Sequence, residues 1–232
     1  MKTLAVIIPR FVNNPTTDSI TDNCISSVLQ YMDDRFKTTI TVVDDGSKIP
    51  FKARSGVTLI DHGKNRGIAV GWNTGWQANK TADFYCWLNA DCEATPGWSF
   101  PLVAAAEQLP GIMMPYTNGS KAWRSGIAGY CFVAARAVAE QIGPFDETFV
   151  PAWYEDADWF QRAVDQGIPL LNVPTSNIKH LRSKGGTEDV PRKEMLHLAN
   201  RMRFAWKHGI RAEDPPRIYI DPLPEVEIAS SP

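Results

Sequence analysis

An apolar, aromatic run that breaks off into polar side chains constrains this chain more than any other feature: Phe84-Tyr85-Cys86-Trp87-Leu88 is followed at once by Asn89, Asp91 and Glu93. With no polar residue on either face, the run reads as a strand buried on both sides that delivers those three residues to its C-terminal edge. In an open α/β sheet that edge is where ligands bind. Asp91 can hold a divalent cation there and Asn89 a nucleoside hydroxyl. The same residues can also form an Asx turn leading into Thr95-Pro96-Gly97, and Asn89 and Asp91 share a direction only if the strand continues past Leu88.

The chain before this run has the pattern of a βαβ unit. Leu4-Ala5-Val6-Ile7-Ile8 is a second unbroken apolar run, stopped by Pro9. Ile20, Cys24, Val28 and Met32 then recur every four residues behind a cap at Thr17 or Asp18, as in an amphipathic crossover helix. Thr38 to Val43 is the next strand, ending in Asp44-Asp45-Gly46-Ser47. The first βα turn holds Pro9-Arg10-Phe11, without the glycines of a dinucleotide fingerprint. The acidic turn suits a base NH or a ribose hydroxyl, or is simply a polar turn. After a short strand at Val57-Thr58-Leu59-Ile60, the segment Asn65-Arg66-Gly67 opens a helix carrying Gly71, Trp72, Gly75 and Trp76. Its glycines permit close approach of a neighbouring element or of a diphosphate, with Arg66 as the adjacent cation.

Past the central run, helix is expected over Trp98 to Leu109 and Ala135 to Ile142, and strand at Gly111 to Pro115, at Gly129 to Val133, and from Pro169 to Pro174 with an end near Ile178-Lys179-His180. Tyr116 to Gly126 reads as a polar loop able to touch a ligand. Tyr154-Glu155-Asp156-Ala157-Asp158-Trp159 places three carboxylates in the first turn of a helix, flanked by aromatic rings. The helix dipole stabilises carboxylates there, and the apolar wall resembles a site more than a routine cap. Arg182-Ser183-Lys184-Gly185-Gly186 is basic and flexible by composition. Met195, Leu198, Met202 and Ala205 mark a last amphipathic helix that stops at Gly209. The acidic, proline-rich tail beyond is expected to lack regular structure.

At 232 residues the chain is long enough for one α/β domain over 1–209 with a tail at 210–232. A net charge of -2 gives no reason to expect nucleic acid as a partner. The sequence has no apolar run of transmembrane length, and Met1-Lys2-Thr3-Leu4 leads into a strand rather than a leader. The expected location is the cytoplasm, including the inner face of the membrane. Cys24, Cys86, Cys92 and Cys131 form no CxxC pair and are read as free thiols.

Taken in order, these pieces resemble a family 2 glycosyltransferase of the GT-A fold, close in pattern to bacterial rhamnosyltransferase-like members, over residues 4 to 208. Val42-Val43-Asp44-Asp45-Gly46-Ser47 matches the family's nucleotide-binding strand end, and Asn65-Arg66-Gly67 with Asn73 its helix entry. Leu88-Asn89-Ala90-Asp91 takes the place of its Asp-x-Asp metal motif. Gly143-Pro144-Phe145-Asp146-Glu147 followed by Glu155-Asp156-Ala157-Asp158 matches the acceptor-side signature. His180 falls where members often carry a metal-binding histidine.

The resemblance implies a single GT-A (Rossmann-like) domain with a mostly parallel central sheet and helices on both faces. It further implies an inverting, metal-dependent transfer of a hexosyl or deoxyhexosyl group from a nucleoside-diphosphate sugar to a saccharide, glycan or lipid-linked hydroxyl, as in polysaccharide biosynthesis. By that analogy Asp45 contacts the base, Pro9 and Phe11 line its pocket, Arg66 assists, and Asn89 faces the ribose. Asp91 with His180 holds Mn²⁺ or Mg²⁺, an imidazole tilting the choice towards Mn²⁺, and Arg182 and Lys184 assist the diphosphate. Asp156 is the general base, Glu155 binds a sugar or acceptor hydroxyl, Asp158 caps the helix, and Trp123, Trp153 and Trp159 are candidates for stacking on sugar rings.

Two positions depart from the family pattern. Asn89 replaces the first aspartate of the metal motif, which predicts weak metal binding without donor. Arg10 and the late Asn13 alter the first motif. Two other readings fit parts of the pattern: a sugar nucleotidyltransferase, whose Gly-rich loop is missing after the first strand, and a non-catalytic nucleotide- or carbohydrate-binding domain on the same fold.

Overall fold

The structure is a computed structural model that describes residues 1–116, 129–181, 190–214, 218 and 220–222. Its centre is β1 (Thr3–Arg10), paired in parallel with β2 (Lys37–Asp44) on one side and with β4 (Phe84–Leu88) on the other. The apolar run of β1 is unbroken because both its faces are covered. Leu4, Val6 and Ile8 pack with Cys24, Ile25 and Val28 of α1 (Pro15–Gln30), while Ala5 and Ile7 pack with Trp72 and Trp76 of α2 (Ile68–Ala78). Fully burying each large aliphatic side chain contributes roughly 1.5–3 kcal/mol, so the strand with no solvent face becomes the hub.

The helix α1 begins earlier than its sequence suggested. Asn14 accepts from Thr17 N through its side chain, with Pro15 in the first turn. In α2 the glycines serve packing. A Cβ at Gly75 would come within 2.3 Å of Ile7 Cγ2, so only glycine lets the helix lie this close to β1.

The remaining elements are β3 (Val57–Asp61), β5 (Cys92–Ala94), α3 (Ser99–Gln108), β6 (Ile112–Tyr116), β7 (Cys131–Ala135), α4 (Arg136–Ile142), α5 (Glu155–Asp165), β8 (Leu170–His180), α6 (Lys193–Lys207) and β9 (Ile220–Pro222). The sheet runs β3-β2-β1-β4-β7-β6-β8-β5, with β9 paired to β8. It is mostly parallel. The exceptions are β7, antiparallel to β4 and β6, and β5, antiparallel to β8.

Strand β8 works in two halves: Leu170 to Val173 pair with β6, which rejoins it at Asn177 after a register shift, and Ile178 to His180 pair with β5. Pro174 and Thr175, both exposed, fall between them. Two short strands differ from the sequence reading. Cys92–Ala94 looked like the polar end of the central strand, and the tail was expected to be irregular, yet Ile220–Pro222 adds to the sheet edge beside Leu170 to Asn172.

Aromatic rings fill the second face of the sheet: Trp87 stacks on Phe132 at 5.2 Å, and Trp159 on Phe145 at 5.1 Å. Trp159 is fully buried and donates from Nε1 to Gly143 O. It is a core residue, which removes it from the sugar-stacking candidates. All four cysteines are free and buried, as expected.

Candidate active site

The central strand stops at Leu88, and Asn89 to Asp91 form a turn closed by Cys92 N donating to Asn89 O at 3.2 Å. The chain then enters β5, whose pairing sets Cys92 opposite His180. That register brings together two residues from distant parts of the sequence: His180 Nε2 lies 3.4 Å from Asp91 Oδ1. Ligand atoms of Asp91, Cys92 and His180 all fall within 4.8 Å of one another.

The carboxylate is a fitting donor for Mn²⁺ or Mg²⁺, and the imidazole beside it favours Mn²⁺. Cys92 is a poorer one. Burial pushes its thiol well up from the ordinary value, and Sγ is directed at Tyr130 O, whereas a ligating cysteine must be a thiolate. Asn89 is anchored by its backbone, donating to Tyr130 O at 2.8 Å, while its Oδ1 is buried without a hydrogen-bond partner among the described residues. A buried acceptor without a donor is costly unless a ligand supplies one.

The neighbouring pair Gly129–Tyr130 joins this corner to the acidic turn of α5. The Tyr130 ring stacks on His180 at 4.5 Å, and Gly129 N donates to Asp156 Oδ2 at 2.6 Å. A Cβ at Gly129 would lie 2.8 Å from Asp156 Cβ, so any side chain there displaces the carboxylate. Sequence reasoning placed these two residues in a strand and missed their bridging role; a glycine before an aromatic residue carries no distinctive signal.

Asp156 is half-buried, and its other oxygen accepts from Ala157 N at 2.8 Å. Burial raises its pKa above the ordinary aspartate value, and the bonds from Gly129 and Ala157 only partly oppose this. Glu155 is more extreme. It is buried, Oε2 has no hydrogen-bond partner, and burial together with the Asp156 charge pushes its carboxyl well up.

Asp158, expected as a helix cap, is instead a buried ionic hub. It accepts from Arg162 Nε (3.0 Å), His208 Nε2 (2.9 Å) and Lys207 Nζ (2.7 Å), tying α5 to α6. Burial alone would raise its pKa, but these donors outweigh it and hold the carboxyl low. Ahead of the acidic turn, Trp153 and Tyr154 both have φ of 73°, a left-handed conformation that is uncommon for aromatic residues. The α6 residues hold it in place. Tyr154 packs on Phe204 and His197, Trp153 meets the His197 ring edge-on, and Asn200 Nδ2 donates to Val150 O and Ala152 O.

Just past the end of β2, the Asp45 carboxylate does not stand open to a base. It accepts from His62 Nδ1 at 2.9 Å and from the backbone N–H groups of Arg66 (2.9 Å) and Gly67 (2.8 Å), and it is buried. Asp45 therefore locks the end of β2 to the entry of α2. Asp44 is similarly committed, pairing with the buried guanidinium of Arg10 and accepting from Ser47 N. The side chain of Asn73 holds the segment 145–147 through Phe145 and Glu147. Pro9 and Phe11 are half-buried at the end of β1, and Arg66 is exposed. Trp123, Arg182 and Lys184 lie outside the described residues.

The family model described as glycosyl transferase family 2 matches residues 6–132. Comparison with curated proteins yields no match. Among solved structures the fold resembles that of GalNAc-T7, crystallised with UDP, GalNAc and Mn²⁺, with a TM-score of 0.63 and 15% identity. That likeness covers 77% of this chain and 43% of the other. It also resembles S. aureus TarS 1–349, with a TM-score of 0.53 and 11% identity over 70% of this chain and 55% of that one. This chain thus spans about half the length of either structure, and at such identities the likeness is one of fold, the GT-A arrangement expected from the sequence.

Proposed function

Because the chain belongs to glycosyl transferase family 2, we propose that it moves a hexosyl or deoxyhexosyl group, rhamnosyl-like by its sequence pattern, from a nucleoside-diphosphate sugar to an acceptor hydroxyl with inversion. The observation that carries this reading is the Gly129–Tyr130 bridge, which sets the Asp91–His180 pair and the Asp156 carboxylate on two sides of one backbone segment. The UDP and Mn²⁺ bound to GalNAc-T7 support it.

Asp156 takes the proton of the acceptor hydroxyl as that oxygen bonds to the anomeric carbon, while the bond to the diphosphate breaks and its electron pair leaves with the phosphate oxygen. The Gly129 N–H fixes the direction of this carboxylate. Glu155, favoured as the neutral acid, donates to a sugar or acceptor hydroxyl. Trp153 and Trp123 offer faces for sugar rings.

Asp91 and His180 would hold a divalent cation, Mn²⁺ or Mg²⁺, which when bound would offset the charge growing on the diphosphate. Asn89 Oδ1 accepts from a ribose hydroxyl, which would supply its missing donor. Pro9 and Phe11 line the base pocket, and Arg66 reaches the diphosphate. Asp45 acts on the base through the segment His62–Gly67 that it holds rather than by direct contact.

The test is a thermal-shift panel of UDP, GDP, dTDP, CDP and ADP, each with and without Mn²⁺. One nucleotide is expected to stabilise the protein only with Mn²⁺, by about 2.7 kcal/mol at a hundredfold excess over Kd, and this effect is expected to be lost in Asp91→Ala. Stabilisation by none of them would put the non-catalytic domain in front.

A further inference from the structure

Helix α6 packs one side against the segment that leads into the acidic turn, through Asn200 and Phe204. Its other side is apolar and open. Met195, Leu198, Met202 and Trp206 are 63%, 54%, 56% and 85% exposed. At 100° per residue these four fall within a sector about 80° wide, on the face opposite Phe204. Scattered exposed hydrophobic residues are ordinary, but an aligned stripe ending in an open tryptophan marks an interaction surface.

The flanks of the stripe indicate what it meets. Arg203 borders one side, and Arg201 the other, where it shares the border with Glu194, while Arg192 stands just ahead of the helix. No carboxylate among the described residues pairs with Arg192, Arg201 or Arg203; the last is held by the Thr148 and Asn200 carbonyl oxygens and lies over the Phe149 ring, neutral partners that bring no opposite charge. The charge of Lys207, by contrast, is already matched by Asp146 and Asp158.

An apolar stripe of Met, Leu and Trp bordered by unmatched arginines is the composition of a helix that lies in a bilayer interface, its apolar side among acyl chains and its cations among anionic headgroups. A second copy of the chain is the poorer occupant. A two-fold pairing through the stripe would set these arginine borders against each other.

We propose that α6 docks the protein onto an anionic lipid surface through Met195, Leu198, Met202 and Trp206. This helix also packs on Trp153 and Tyr154, so docking brings the segment that presents Asp156 to within about one helix diameter, roughly 10–12 Å, of the headgroups. The docking claim goes beyond the donor chemistry and stands or falls apart from it.

The full chain and a Met202→Glu, Trp206→Glu double variant are floated with vesicles of phosphatidylglycerol and phosphatidylcholine, and with vesicles of phosphatidylcholine alone. Both substituted positions are exposed, so the fold should tolerate the change. The unaltered chain is expected to float with the anionic vesicles, to lose binding as salt is raised, and to bind at least about tenfold better than the double variant. Failure of the full chain to float with anionic vesicles overturns the proposal. Equal binding by the double variant does so too, as does a variant that alters only the oligomeric state. Nucleotide thermal shifts measured on the same two proteins keep the outcomes separate: loss of those shifts counts against the donor site, whereas loss of flotation alone counts against the helix.

Discussion

Two pairs of adjacent carboxylates, one at the end of β2 and one at the start of α5, have surroundings that differ in kind. Asp44 and Asp45 end β2 with their oxygens occupied by Arg10, Ser47 N, His62 and the backbone N–H groups of Arg66 and Gly67. Glu155 and Asp156 open α5 with fewer donors. Asp156 receives two backbone N–H groups, and Glu155 keeps an oxygen that is buried without a partner. The first pair is fully satisfied by the fold and so stabilises it. The second is left short of donors, its pKa values raised by burial, so that both carboxyls are more inclined to hold a proton: Asp156 to take one from a ligand and Glu155 to offer one. The supply of partners, rather than the presence of acids, separates the two roles.

The largest expected effect sits in the second pair. Asp156→Asn should lower transfer by about 10²- to 10⁴-fold while donor-induced stabilisation persists; a variant retaining most of its turnover would remove Asp156 from its role. With the original carboxylate in place, the acid limb of the kcat/KM profile should fall with an apparent pKa above the ordinary aspartate value, because burial disfavours the ionised form that the reaction needs.

In the first pair the loss should appear in stability instead. Asp45→Ala leaves two backbone N–H groups and His62 without their acceptor, so urea denaturation should show a loss of about 2–4 kcal/mol. If that variant kept its stability and lost only nucleotide binding, the contrast between the pairs would fail.

Glu155→Gln sharpens the contrast from the other side. Burial and the Asp156 charge shift Glu155 towards the neutral acid, so replacement by the neutral amide should change stability by less than about 1 kcal/mol. A larger loss would mean that its charge is required for folding.

The smallest effect concerns Asp146. Burial would raise its carboxyl, but the Lys207 ammonium and the Thr148 donors outweigh it and hold the pKa at about 2. A depressed carboxylate stabilises the fold above its unfolded value, and that contribution drains away as pH falls through the folded value. Asp146→Asn should therefore flatten the stability curve between about pH 4 and pH 2. Raised groups such as Glu155 have the opposite sign, favouring the fold in acid and losing that contribution as pH rises.

The order of strands and helices was legible because its cause is local. Short runs without a polar residue, as at Leu4 to Ile8 and Phe84 to Leu88, read as strands covered on both faces because they are too short for a buried helix and end at turn residues, and four-residue recurrences read as helices laid over them. The acidic turn of α5 was legible for the same reason, since three carboxylates and flanking aromatic rings sit within a single turn. Even there the sequence could not tell Trp159 in the core from Trp153 at the margin. That distinction depends on which side of α5 faces Phe145 and Phe132.

The sequence by itself determined the succession of elements, the burial of the two central strands, and the short list of acids and aromatic residues from which a site can be built. Tertiary structure alone decided that the last residue of β8 would stand beside the turn after β4, that Gly129–Tyr130 would join the Asp91–His180 corner to Asp156, and that Asp45 would be closed by its neighbours while Glu155 was not. The physical reason is that a side chain's chemistry depends on the donors and charges within a few ångströms of it. In a sheet of this topology those neighbours arrive from strands and loops far away in the chain, through pairing registers that no local pattern encodes.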